Sequence, residues 1–180
     1  MSMLSSLHLT AVLISLILTL PGSVAAAPEG PHLGKSITAG DLDGLDINVF
    51  PDGRGLPNGN GNPETGARLF ENLCAACHGA HGTGGSASEL VGTSPLNGPH
   101  PDQSVGNYWP YATTLFDFIR RSMPLNAPRS LSADQVYALT AYILEINGLI
   151  AKGAVLDKKA LPAIQMPNRD GFTRLWPENR

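Results

Sequence analysis

The sequence predicts an all-α fold of three main helices joined by long loops, with an extended arm at each end. Three observations carry that expectation. A stretch of helical periodicity closes on Cys74-Ala75-Ala76-Cys77-His78, and a second, better capped helical pattern runs from Ser132 to Asn147. Around them the chain is rich in Gly and Pro, with 20 and 15 of its 180 residues. That composition favours loops over a continuous bundle.

The elements follow in chain order. Residues 1–26 read as a secretory signal: an apolar run from Leu9 to Leu20 precedes Pro21-Gly22 and a small-residue site around Val24-Ala25-Ala26. The run is too short for a comfortable membrane span, so none is expected once it is cleaved. No Lys or Arg precedes it, and the competing reading is an uncleaved anchor. With no cysteine near the cleavage site, lipid attachment there is excluded. Residues 27–62 form an extended arm, marked by the turn dipeptides Asp52-Gly53, Asn58-Gly59 and Asn60-Gly61. Such an arm has little core of its own and is expected to wrap the domain or lie on a partner.

Residues 63–148 hold the expected domain. Its first helix begins with Asn62 as N-cap and Pro63 at the first helical position. Leu69, Phe70, Leu73 and Cys77 recur at helical spacing, which places the cysteine motif at its C-terminal end. Gly79, Gly82, Gly84 and Gly85 then break it. A second helix is expected from about Thr113 to Ser122, with Leu115, Phe116, Phe118 and Ile119 to bury. It stops before Met123-Pro124 because the residue preceding proline disfavours the helical region. The third helix opens on a capping box, Ser132 with Gln135, inside a Leu131–Val136 hydrophobic staple. Val136, Leu139, Thr140, Ile143 and Leu144 make its apolar face, and Asn147-Gly148 its stop signal. Residues 149–180 are a second extension, with a short helical piece near Asp157–Leu161.

The motif carries the chemistry. Cys-x-x-Cys-His is the attachment site of c-type haem: the thiols add to the two vinyl groups as thioethers, and the histidine reaches the iron from one face. Cys74 and Cys77 are the chain's two cysteines, so one covalent haem is the maximum. The iron's other face needs a donor. Met123, in the loop after the second helix, is the first candidate, since a thioether raises the reduction potential as an electron carrier requires. Met166 is the alternative, and His81 and His100 are weaker candidates with ordinary surface roles. The Nδ1 of His78 needs an acceptor, for which the Pro95 or Pro99 loop is the expected source. Tyr108, Trp109, Arg120 and Arg121 are candidates for the haem edge and propionates; packing and solvated-face roles are their ordinary alternatives.

These residues resemble a family. Gly66, Phe70, Cys74-Ala75-Ala76-Cys77-His78-Gly79, Met123-Pro124 and Tyr142 are similar to the class I cytochrome c pattern. There the first and last helices cross where a glycine and an aromatic meet an aromatic. A narrower resemblance rests on Leu45 to Pro57, Tyr108 to Asp117 and Met166 to Phe172. It is to the cytochrome c subunit of Sox-type sulfur (sulfane) or sulfite dehydrogenase. That resemblance implies a partner subunit of the sulfite-oxidase type with a molybdopterin cofactor, and a downstream cytochrome or oxidase as acceptor.

The expected function is therefore a periplasmic mono-haem electron carrier in which no side chain performs bond chemistry. Its alternative is a peroxidase-like haem enzyme or sensor with an open sixth coordination site. A structural zinc or redox dithiol on Cys74 and Cys77 is a third reading, needing two more ligands or a βαβ context. The formal net charge of −3 points to neither nucleic acid nor an anionic membrane.

Overall fold

The computed structural model describes residues 34–42, 44–173 and 175; the expected signal at 1–26 lies outside them. The chain divides into two units, Met1–Asp43 and Gly44–Arg180. Within the first, a single helical turn, α1 (Ala39–Leu42), follows Thr38, whose N–H and hydroxyl both donate to the Asp41 carboxylate at 2.8 Å.

The second unit is built from α2 (Pro63–Leu73), the single turn α3 (Ala75–His78), α4 (Ala112–Ser122) and α5 (Ala133–Ile146). Two-residue strands β1 (Asn60–Gly61) and β2 (Leu156–Asp157) pair antiparallel, Asn60 opposite Asp157 and Gly61 opposite Leu156. The all-α expectation holds.

Local chemistry sets each boundary. The Asn62 side chain accepts from Thr65 N–H at 2.9 Å, and Pro63 occupies the first turn of α2, where its missing N–H costs nothing. At α5 both halves of the capping box form, Ser132 N–H to Gln135 at 2.8 Å and Gln135 N–H to Ser132 Oγ at 3.3 Å. Its far end is a Schellman stop: Gly148 N–H donates to Glu145 O and Leu149 N–H to Leu144 O, with Gly148 at φ 72°. The predicted apolar face of α5 is too narrow. Tyr137, Ala138 and Ala141 are buried beside Val136, Leu139, Thr140, Ile143 and Leu144, because α2, α4 and β1 all pack on this helix. Helix α4 buries Leu115, Phe116 and Ile119 as expected, but Phe118 stays 44% exposed, with its ring edge-on to Trp109.

The crossing of α2 and α5 depends on Gly66. A Cβ there would overlap the Ala138 carbonyl oxygen, and one turn on the Phe70 and Tyr142 rings meet at 5.2 Å. Gly61 of β1 approaches the same place from the other side, against the Ala138 backbone nitrogen. Replacing Gly66 with alanine is expected to lower stability by about 1–3 kcal/mol, the usual cost of forcing extra volume into a close-packed contact. Denaturant unfolding would show it as a lower midpoint at unchanged slope.

The flanking stretches are structural. Val49 and Leu56 pack on the core, Val49 N–H donates to Asp117 at 3.2 Å, and Tyr137 donates its hydroxyl to Pro57 O at 3.0 Å. Burial pushes the Tyr137 hydroxyl up to about 12, so it remains a donor. On the C-terminal side the expected helix near Asp157–Leu161 is instead strand β2 followed by a 3-10 turn at Leu161–Ala163. Pro162 lies in the first turn of that segment, where the residue before a proline disfavours helical backbone and a helix running in from Asp157 is not supported. Leu156, Leu161 and Met166 are core residues, so residues 149–166 complete the domain.

Candidate haem site

The Cys-x-x-Cys-His segment is a turn of its own. Helix α2 ends at Leu73, and Cys74 leaves helical geometry at φ −123°, ψ −37°. Its N–H still donates to Phe70 O at 2.9 Å, while its carbonyl accepts from both Cys77 N–H at 3.1 Å and His78 N–H at 2.9 Å. Periodicity alone reads the segment as one continuous helix; the break at Cys74 separates the thiol-bearing turn from it. Cys77 is exposed, whereas Cys74 is partly buried against the core. Burial, with a smaller contribution from Cys77 alongside, pushes the Cys74 thiol up to about 11 and keeps it neutral.

The glycines predicted to break the helix fold the next loop back under the motif. Gly79, Gly82 and Gly84 all take positive φ, 80°, 76° and 74°, which residues bearing a Cβ adopt only at a cost. Ala87 N–H then reaches Cys77 O and Leu90 N–H reaches Gly82 O, both at 2.8 Å. This return places the Ser88 carbonyl 2.8 Å from His78 Nδ1. A carbonyl oxygen can only accept, so Nδ1 carries the proton and Nε2 keeps its lone pair for a metal. The acceptor therefore comes from residue 88. The expectation of the Pro95 or Pro99 loop was wrong because the glycine turns bring a nearer carbonyl into place.

The other candidates separate. Met123 is partly buried at the end of α4, packed against the core cluster. Met166 is a core residue, 3% exposed. His81 and His100 are exposed. Trp109 packs against the core and Phe118. Tyr108 sets its ring edge-on to Phe172 at 5.3 Å, and its carbonyl accepts from Asn168 Nδ2 at 2.7 Å.

Arg120 and Arg121, proposed for propionates, have other partners. Arg121 holds Asp117 with two hydrogen bonds of 2.8 and 2.9 Å and reaches Ile47 O and Asn48 Oδ1 at 3.2 and 3.1 Å. Arg120 donates to the same Ile47 carbonyl at 3.4 Å. The arginines fasten Ile47 and Asn48 to α4, an occupation that sequence spacing across more than seventy residues does not reveal. Arg169 likewise lies over the Tyr111 ring at 4.8 Å. The segments at 45–57, 108–117 and 166–172 are thus knit together by these contacts.

The residues fit haem c. Two thiols one turn apart precede a histidine whose Nδ1 is already satisfied and whose Nε2 is the remaining donor. Cys74, the first of those thiols, is itself partly buried against the core. Among the described residues no three His, Cys, Asp or Glu side chains form a metal-holding group, and the sheet is one two-residue pair.

Comparison with known proteins agrees with this chemistry. A family model described as cytochrome c oxidase, cbb3-type, subunit III matches residues 61–143. A chain in the crystal structure of the sulfane dehydrogenase SoxCD from Paracoccus pantotrophus is similar at 38% identity and a TM-score of 0.74. The match covers 79% of this chain and 71% of that one. No curated protein matches.

Proposed function

The chain belongs to the Sox-type cytochrome c family, and on that premise we propose that it is a periplasmic mono-haem carrier of single electrons. Its donor in this reading is a molybdopterin-dependent sulfur-compound dehydrogenase subunit of the sulfite-oxidase type, and its acceptor a downstream cytochrome or oxidase. Residues 1–26 direct its export. The His78 ring is the observation that carries the reading: its Nδ1–H bond to Ser88 O leaves Nε2 as a fixed, basic donor beside two correctly spaced thiols.

When bound, haem supplies one-electron cycling of its iron. The protein's own residues do the rest. Cys74 and Cys77 would hold the macrocycle as thioethers, and the His78 imidazole and the Met123 thioether would bind its iron. Met123 is preferred because it is only partly buried, just past the end of α4, whereas Met166 is fully buried in the core. Arg120 and Arg121 fix Ile47 and Asn48 to α4.

Rapid mixing tests the partner. With a purified sulfite-oxidase-type molybdenum dehydrogenase and sulfite or a sulfane donor, haem reduction is expected to depend on both enzyme and substrate. Each two-electron oxidation should reduce two cytochrome chains. Reduction at an unchanged rate without the enzyme, or none with it, would remove this partner from the account.

A further inference from the structure

We infer that Asn147 is a positioning residue for His78, acting through the loop that carries the Ser88 carbonyl. This rests on the haem reading above and concerns what fixes the histidine's donor strength. The Ser88 carbonyl lies between two anchors. On one side Ala87 N–H is bound to Cys77 O. On the other, Leu90 is held twice, its N–H by Gly82 O at 2.8 Å and its carbonyl by Asn147 Nδ2 at 3.0 Å. The bonds from Ala87 N–H and Leu90 N–H both lie within residues 77–90. Asn147 comes from the end of α5 and ties the loop to the most buried helix of the domain.

The amide is oriented by its surroundings. Nδ2 donates to Ile143 O at 2.8 Å as well as to Leu90 O, and Oδ1 accepts from Gly92 N–H at 3.4 Å. A flipped amide would set its oxygen against two carbonyls. Gly106 belongs to the same device, since a Cβ there would overlap Asn147 Oδ1. Ser104, almost fully buried, continues it by donating to Gly92 O at 3.3 Å. Residues 90–92 are thereby held from both sides.

The consequence is electronic. A firm Nδ1–H···O bond gives the imidazole more anionic character, strengthens its donation to ferric iron and lowers the potential. Loosening residues 88–92 should weaken that bond. In Asn147→Leu the ferrous to ferric ratio at a fixed applied potential is expected to rise about three- to tenfold. That is an upward shift of about 30–60 mV at 59 mV per tenfold for one electron. Exchange of the His78 Nδ1 proton with solvent, followed by NMR in the reduced protein, should quicken at least tenfold. Asn147→Ser is the second variant, with the same direction and a smaller shift.

Tyr137→Phe separates positioning from stability. It removes the bond to Pro57 O from the same helix, ten residues and about 15 Å away along the axis. It should lower the melting temperature and leave potential and proton exchange unchanged. If both Asn147 variants match wild type in potential and exchange, with only melting altered, the inference is overturned while the haem reading stands. A wild-type protein that takes up no covalent haem overturns both.

Discussion

Met123→Ala should lower the reduction potential by at least ~100 mV, well within the roughly 0.8 V that axial ligands command, and abolish the far-red charge-transfer band of the ferric protein. Methionine sulfur is a weak donor to ferric iron and a good one to ferrous, so its loss favours the oxidised state. The altered protein should also bind small ligands such as azide, because the sixth position opens. Met166→Ala should behave in the opposite way. It empties a core site and is expected to cost about 2–5 kcal/mol of stability, while band and potential stay near wild type. If the band survives in Met123→Ala and vanishes in Met166→Ala, the ligand assignment reverses. If wild type lacks the band and binds azide readily, the peroxidase-like or sensor reading takes its place.

The second large effect concerns attachment. Cys74→Ser combined with Cys77→Ser should give a chain from which haem is removed by acid and organic solvent, with little holoprotein accumulating. The turn from Cys74 to His78 is not sunk in the core: Cys77 is exposed and α3 contains no fully buried residue. Thioether bonds fasten this turn to the macrocycle, and so fix His78 against the iron. The single variants should retain haem through one bond, visible as a red-shifted reduced spectrum because one vinyl group remains conjugated.

Much of this was legible in the residues. Asn62-Pro63, Ser132 with Gln135, and Asn147-Gly148 are local signals whose partners lie within a few residues, and all three mark real helix ends. The Gly66, Phe70 and Tyr142 crossing was legible through family resemblance, and packing supplies its reason. What the residues do not show lies where partners are distant or hidden. Arg121 holds Asp117 one turn away, as helix spacing allows, but the Ile47 carbonyl that both arginines reach sits more than seventy residues earlier. The Ser88 carbonyl leaves no trace in a side-chain pattern, because a backbone group is present at every position; only the positive-φ glycines hinted at so tight a return. Asn147 was visible as a helix stop, which it is, but its side-chain bonds to residues 90 and 92 are tertiary. The N-terminal arm reads as wrapping the domain or lying on a partner, a choice its polar, turn-rich composition leaves open; Leu56, and Leu156 and Leu161 on the C-terminal side, pack on the core.

One haem held by two thioethers at Cys74 and Cys77 underlies everything above. A pyridine haemochrome assay, on protein expressed with haem-attachment machinery and then extracted with acidified acetone, tests it. One haem per chain should remain with the polypeptide, with the reduced spectrum of a haem whose vinyl groups are both saturated. Haem that passes wholly into the acetone, or a chain that carries none, would contradict it.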